Sequence, residues 1–145
     1  MPERMPTCAH GCGDREALFH FRVAAVADSI APIVETVSDL ARRELAGGKE
    51  MELALALQEA LANAVVHGSR GDPEQIVECW VAYGTEGVLV AIRDSGPGFD
   101  PDDVPDPLSL QQLGSDHGRG IHMIRQLVDD VHFLRNGAEI HMRKK

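Results

Sequence analysis

"QIVECWVAYGTEGVLVAIRD", residues Gln75 to Asp94, decides the fold. Its two halves, "QIVECWVAY" and "EGVLVAIRD", are rich in β-branched and aromatic residues and meet at a short turn containing glycine. That pattern predicts two adjacent strands of an antiparallel hairpin. Upstream, "ALFHFRV" (Ala17–Val23) alternates and predicts a further strand. Downstream, "VHFLRNGAEIHMRK" holds two alternating runs around Asn136-Gly137, the strongest two-residue hairpin signal.

Helical spacing fills the gaps between these strands. Asp28 or Ser29 is placed to cap a helix whose apolar positions are Ile30, Ile33, Val34, Val37, Leu40, Ala41 and Leu45, with Gly47-Gly48 ending it. A second helix is predicted from about Glu50 to Val66, stopped by Gly68, and a third over "GIHMIRQLVDD" from Gly120. Between strand and third helix, Gly96 to about Asp116 reads as a loop rich in Pro and Asp. The order β-α-α-β-β-loop-α-β-β predicts an α+β two-layer sandwich, with helices packed on one face of a mixed, largely antiparallel sheet.

Composition narrows the function classes. A chain of 145 residues fits one domain, read as residues 17–145 behind a disordered N-terminal tail, residues 1–16. With 14 basic against 23 acidic residues the net charge is −9, which argues against nucleic acid as a direct partner. No apolar run approaches the ~20 residues of a membrane span, and "MPERMPTCAHGCGD" has no apolar signal-peptide core, so a soluble cytoplasmic protein with no membrane partner is expected. Three cysteines do not make a disulfide framework. Cys8, His10 and Cys12, with His20 further on, are candidate zinc ligands, but the spacing is not a standard pattern, lacks a clear fourth ligand, and favours the tail. Trp80, inside a predicted strand, is read as core, and Arg143, Lys144 and Lys145 as a solvated end.

Three stretches depart from ordinary element chemistry. In "MELALALQEALANAVVHGSRG", Glu59, Asn63 and His67 stand at i, i+4 and i+8, with Glu52 seven positions earlier, and form one polar stripe. Such a stripe is either the solvated side of an amphipathic helix or the wall of a cleft; the Ala, Leu and Val around it favour the cleft. In "DSGPGFD", Gly96 and Gly98 either make a turn or let a ligand approach the backbone, and Asp94 at the strand end can accept from an amino group lying over them. In "GSDHGRGIHMI", Gly114, Gly118 and Gly120 precede an apolar helical run, either as a flexible connection or as a seat for phosphates at a helix start. No Walker A loop and no complete G-x-G-x-x-G after a strand occurs.

Taken together, "EALANAVVHG", "DSGPGFD" and "GSDHGRGI" resemble the asparagine box and the two glycine boxes of the GHKL ATPase superfamily, to which gyrase, MutL and histidine kinases belong. The "EALANAVVHG" form, the short chain and the ending "GRGIHMIRQLVDDVHF" look most like its anti-sigma-factor serine/threonine kinases of the RsbW and SpoIIAB type. The resemblance runs from about Ala17 to Arg143 and implies the GHKL (Bergerat) ATP-binding fold. It implies that Asn63 binds Mg²⁺ and that Glu59 is the general base. It further implies that His67 lies near the phosphates, a structural histidine at a helix end being the alternative, and that Asp94 reads the adenine amine. Gly96 and Gly98 would then shape the adenine pocket, and Gly114, Gly118 and Gly120 would wrap the phosphates as a lid, with Arg119 adding charge at the γ-phosphate. One departure is the acidic, proline-rich "PDDVPDP" within that lid.

The function so implied is ATP- and Mg²⁺-dependent phosphorylation of a STAS-type anti-anti-sigma protein, with a sigma factor as competing partner and a homodimer as the working unit. Two alternatives stand beside it. One is a non-catalytic ATP-binding module whose partner binding is nucleotide-controlled; the other is a histidine kinase catalytic domain, ranked last because only one helix precedes the asparagine-box helix.

Overall fold

The computed structural model of the chain describes residues 4–6, 15–70, 72–96 and 116–145. Its strands are β1 (Phe19–Ala24), β2 (Ile76–Gly84), β3 (Gly87–Asp94), β4 (Asp130–Leu134) and β5 (Glu139–Lys144). Its helices are α1 (Ile30–Glu44), α2 (Lys49–Asn63) and α3 (Asp116–Leu127). The strands form one five-stranded sheet in the order β1-β2-β3-β5-β4. Every pairing among the described residues is antiparallel.

Strand alternation sends one set of side chains toward the helices. Val77, Cys79 and Val81 of β2, Val88, Val90 and Ile92 of β3, and Ile140 and Met142 of β5 meet Ile33, Val37 and Leu40 of α1, Leu53, Leu57 and Leu61 of α2, and Ile124 of α3. Each fully buried aliphatic side chain contributes about 1.5–3 kcal/mol, so this layer holds the helices on the sheet. Cys79 sits within it, its thiol pushed up to about 12 by burial and therefore inert. Strand β3 reads as an unbroken apolar run because its other face is covered as well: Leu89 and Ala91 pack with Trp80, Ala82 and Met5.

Several boundaries move from their sequence positions. Helix α1 follows a single 3₁₀ turn, Ala27–Ser29, with no side-chain cap bond, and stops at Glu44. Gly47 and Gly48, at φ 71° and 78°, then make the left-handed turn into α2. Helix α2 does not continue regularly to Val66; past Asn63 it widens into a π turn, Ala64–Gly68, closed by the Ser69 N–H donating to the Ala64 carbonyl at 2.8 Å. Helix α3 begins a turn earlier than read, at Asp116, which takes Gly118 and Gly120 into its opening turns rather than a preceding loop. The β4–β5 connection is also longer than a two-residue turn. Leu134 pairs with Glu139, and Arg135, Asn136 and Gly137 between them all take positive φ.

The C-terminal end is solvated only in part: Lys145 is exposed, Arg143 partly buried and Lys144 buried. Lys144 is 7% exposed, its Nζ donating to Glu52 Oε2 at 2.7 Å and to the Leu127 carbonyl at 2.6 Å. It thus ties α2 to the last turn of α3, where carbonyls lack helical partners. Arg143 pairs with Asp130 across β5 and β4. Lys144→Met is expected to destabilise the protein by about 1.5–3 kcal/mol, the range for a hydrogen bond to a charged group, as read from the urea midpoint at unchanged m-value. Among the described residues, no helix is long and apolar enough to cross a membrane.

Candidate functional site

The polar stripe of α2 lines a cleft. Glu59, Asn63 and His67 share an open groove of ≈ 460 Å³ with Ala62, Val66, Gly120 and Met123. Glu52 does not join them, because Lys144 holds it at the other end of the helix. The π turn carries Val66 and His67 on the groove wall and Gly68 against the Asp94 cavity, a local widening of the kind that recurs at functional sites.

Across the groove, α3 approaches α2 closely. A Cβ on Gly120 would stand 2.9 Å from Glu59 Oε2 and 3.4 Å from Asn63 Nδ2. Gly120 therefore lets the α3 backbone pass directly over the Glu59 carboxylate. Gly118 and Arg119 belong to the same opening turns of α3. Gly98 and Gly114 lie outside the described residues.

Asp94 closes the other end. It is 8% exposed, and its Oδ1 accepts the Gly96 N–H at 2.8 Å. Burial pushes its carboxyl above the ordinary range, and the Gly96 hydrogen bond pulls it partly back. A cavity of ≈ 30 Å³ lies against it, lined by Asn63, Ala64, Gly68, Ile92 and Phe133 among others. Asn63 lines both this cavity and the open groove, so one side chain joins the Asp94 end to the Glu59 end.

Two glycines make the Asp94 end possible. A Cβ on Gly68 would overlap the Asp94 carboxylate, and one on Gly96 would overlap the Gly68 carbonyl. The sequence reads Gly96 as a place where a ligand approaches the backbone; what the structure shows closest to it is the Gly68 carbonyl. In the sequence Gly68 reads only as a helix stop, and Met123 and Phe133 carry no signal of a site; the glycine directly after His67 is the one available cue. The strand-end position expected for Asp94 is the observed one, anchored by its N–H donating to Ala138 at 2.9 Å.

Of the candidate zinc ligands, Cys8, His10 and Cys12 lie outside the described residues. His20 is engaged elsewhere, 2.9 Å from Glu78 Oε2 and stacked on Trp80.

Residues 23–144 match the family described as histidine kinase-like ATPase domain. The chain is also similar to proteins named anti-sigma F factor. That of Bacillus cytotoxicus is 33% identical over 98 residues, covering 64% of this chain and 67% of the relative. Those of Bacillus cereus and Bacillus thuringiensis are 32% and 31% identical over the same length and shares.

Proposed function

The chain belongs to the histidine kinase-like ATPase domain family and has anti-sigma F factors among its relatives; from that premise we propose that it is an ATP- and Mg²⁺-dependent protein serine/threonine kinase of the anti-sigma type. Its acceptor is a STAS-type anti-anti-sigma protein, its competing partner a sigma factor, and its working unit a homodimer. Membership in an ATPase domain family implies ATP binding. The observation that carries the kinase reading is the single continuous lining from Asp94 through Asn63 to Glu59, with Gly120 over the carboxylate.

The residues present suit the groups the family implies. The ≈ 30 Å³ beside Asp94 hold one water-sized group, so the carboxylate receives the polar edge of a flat ring and not the whole ring. An exocyclic amine arriving there donates to Asp94, whose Oδ1 already accepts from Gly96. Gly96 and Gly68 keep Cβ atoms away from that edge. Asn63, which offers a hard amide oxygen where cavity and groove meet, would hold Mg²⁺; when bound, the ion supplies positive charge to the phosphate oxygens. Glu59, one helical turn before Asn63, takes the proton from the acceptor hydroxyl at its carboxylate. His67 at the groove wall and the opening turns of α3 with Gly118 and Arg119 lie on the phosphate side; Gly98 and Gly114 complete the proposed site residues.

Gly120→Ala separates fold from chemistry. Alanine is the better helix former, and the atom it meets is the movable end of Glu59, so stability is expected to stay level or rise by up to about 1 kcal/mol. Phosphotransfer is expected to fall by roughly tenfold to a hundredfold, because the new methyl displaces the base. A thermal melt and a transfer assay on the same preparation check both signs.

The reading as a whole is tested by incubating the protein with labelled ATP, Mg²⁺ and the STAS-type protein encoded nearest to it, and mapping the phosphorylated residue by mass spectrometry. Transfer to a serine or threonine is expected. Tight ATP binding with no transfer to any such protein would replace the kinase by a nucleotide-controlled binding module.

A further inference from the structure

The sheet face turned away from the helices carries two transverse rows of side chains. In one, Arg22, Glu78, Arg93 and Glu139 are successive cross-strand partners of alternating charge. In the other, His20, Trp80, Ala91, His141 and His132 follow each other across all five strands. The two ends of this second row differ. His20 is held by Glu78 and stacks on Trp80. At the other end, His141 and His132 stand directly opposite each other on β5 and β4, which places their Cβ atoms about 4.5–5.5 Å apart on one face.

His141 is held in a specific way. Its Nε2 is 2.7 Å from Glu139 Oε2, and the two side chains are 4% and 2% exposed. Arg93 donates to the other carboxylate oxygen at 2.5 Å, so Glu139 acts as an acceptor. A neutral imidazole donating Nε2–H to it carries its lone pair on Nδ1. That Nδ1 is buried and has no hydrogen-bond partner among the described residues. A buried lone pair left unmatched is destabilising, and an apolar side chain at this position would avoid it. A carboxylate that orients one imidazole nitrogen while the other stays open is how proteins prepare histidine as a metal ligand. The second imidazole is that of the cross-strand neighbour, His132, which is partly buried.

We propose that His132 and His141 together bind a divalent transition-metal ion of the zinc class, at a site on the opposite sheet face from the nucleotide groove. Among the described residues no group of three or more His, Cys, Asp or Glu completes a closed ligand set, so water fills positions left on the ion and binding is weaker than in a four-ligand structural site.

Trp80, the single tryptophan, lies in the same row two strands from His141, about 10 Å away, and reports an absorbing ion there. Titration of the full chain with Co²⁺ is expected to quench Trp80 saturably at one ion per chain, with reversal by chelator and competition by Zn²⁺. His141→Gln and His132→Gln are each expected to weaken binding at least tenfold in calorimetric titration, whereas His20→Gln leaves it unchanged. Where His141→Gln does not fold, the half-buried His132→Gln decides. Absence of saturable binding overturns the proposal. So does binding that survives both substitutions but is lost on alkylating the thiols, which would assign the ion to Cys8 and Cys12.

Discussion

Glu59→Gln is expected to lower phosphotransfer by roughly a hundredfold to ten-thousandfold while leaving nucleotide affinity within about a factor of two. The substitution keeps the shape of the side chain and removes the capacity to take a proton, so it is the narrowest change that can be made at the base. In free-energy terms the loss is about 3–5 kcal/mol, all of it in the transition state. Gly120 already leaves room for the carboxylate under α3, and an amide of the same size occupies that room. Single-turnover transfer measured beside fluorescent-nucleotide titration separates the two quantities. A parallel loss of affinity would mean that Glu59 holds nucleotide and is not the base.

Asp94→Asn should act in opposite directions on binding and on stability. The ionised carboxylate is the acceptor for the adenine amine, and a hydrogen bond to a charged group contributes about 1.5–3 kcal/mol, so ATP affinity should fall roughly tenfold to a hundredfold. Stability without nucleotide should rise. Burial holds the Asp94 carboxyl above its ordinary value, which means that the folded protein binds this proton more tightly than the unfolded chain does. The associated stabilisation is full below the unfolded pKa of about 3.8 and is lost as pH rises through the higher folded value. At neutral pH the wild type therefore carries a buried charge that the asparagine variant lacks, while Gly96 can still donate to the remaining oxygen. Thermal melts of both proteins from acid to neutral pH should diverge above that window, with the variant the more stable, and saturating ATP should reverse their order.

How much of this was legible in the sequence depends on whether the deciding force was local. The hairpin Gln75–Asp94 was legible because strand propensity and a glycine turn act within twenty residues of chain. So was the Glu59-Asn63-His67 stripe, since helical periodicity alone puts the three on one face. The continuation of α2 into a π turn was not, because the widening serves the meeting of Gly68 with Asp94 and Gly96, contacts between distant parts of the chain. Gly68 looked like a helix stop because sequence shows a glycine's freedom but not the atom that passes it. Lys144 looked solvated for the same reason: its partners, Glu52 and Leu127, come from other elements. The Asn136-Gly137 signal located the β4–β5 reversal correctly, yet the third left-handed residue, Arg135, lengthened it. Three short motifs pointed to the family that residues 23–144 match, while the joining of two pockets through Asn63 is visible only in three dimensions.

The central claim is that the Asp94 end of this lining reads adenine, and discrimination between ATP and GTP tests it most directly. Guanine presents a carbonyl oxygen where adenine presents its amine, so against a carboxylate acceptor it loses the hydrogen bond and sets two acceptors together. Equilibrium titration of the wild-type chain with each nucleotide in Mg²⁺ should give ATP binding at least about a hundredfold tighter than GTP. Equal affinities, or no binding of either nucleotide, would contradict the account.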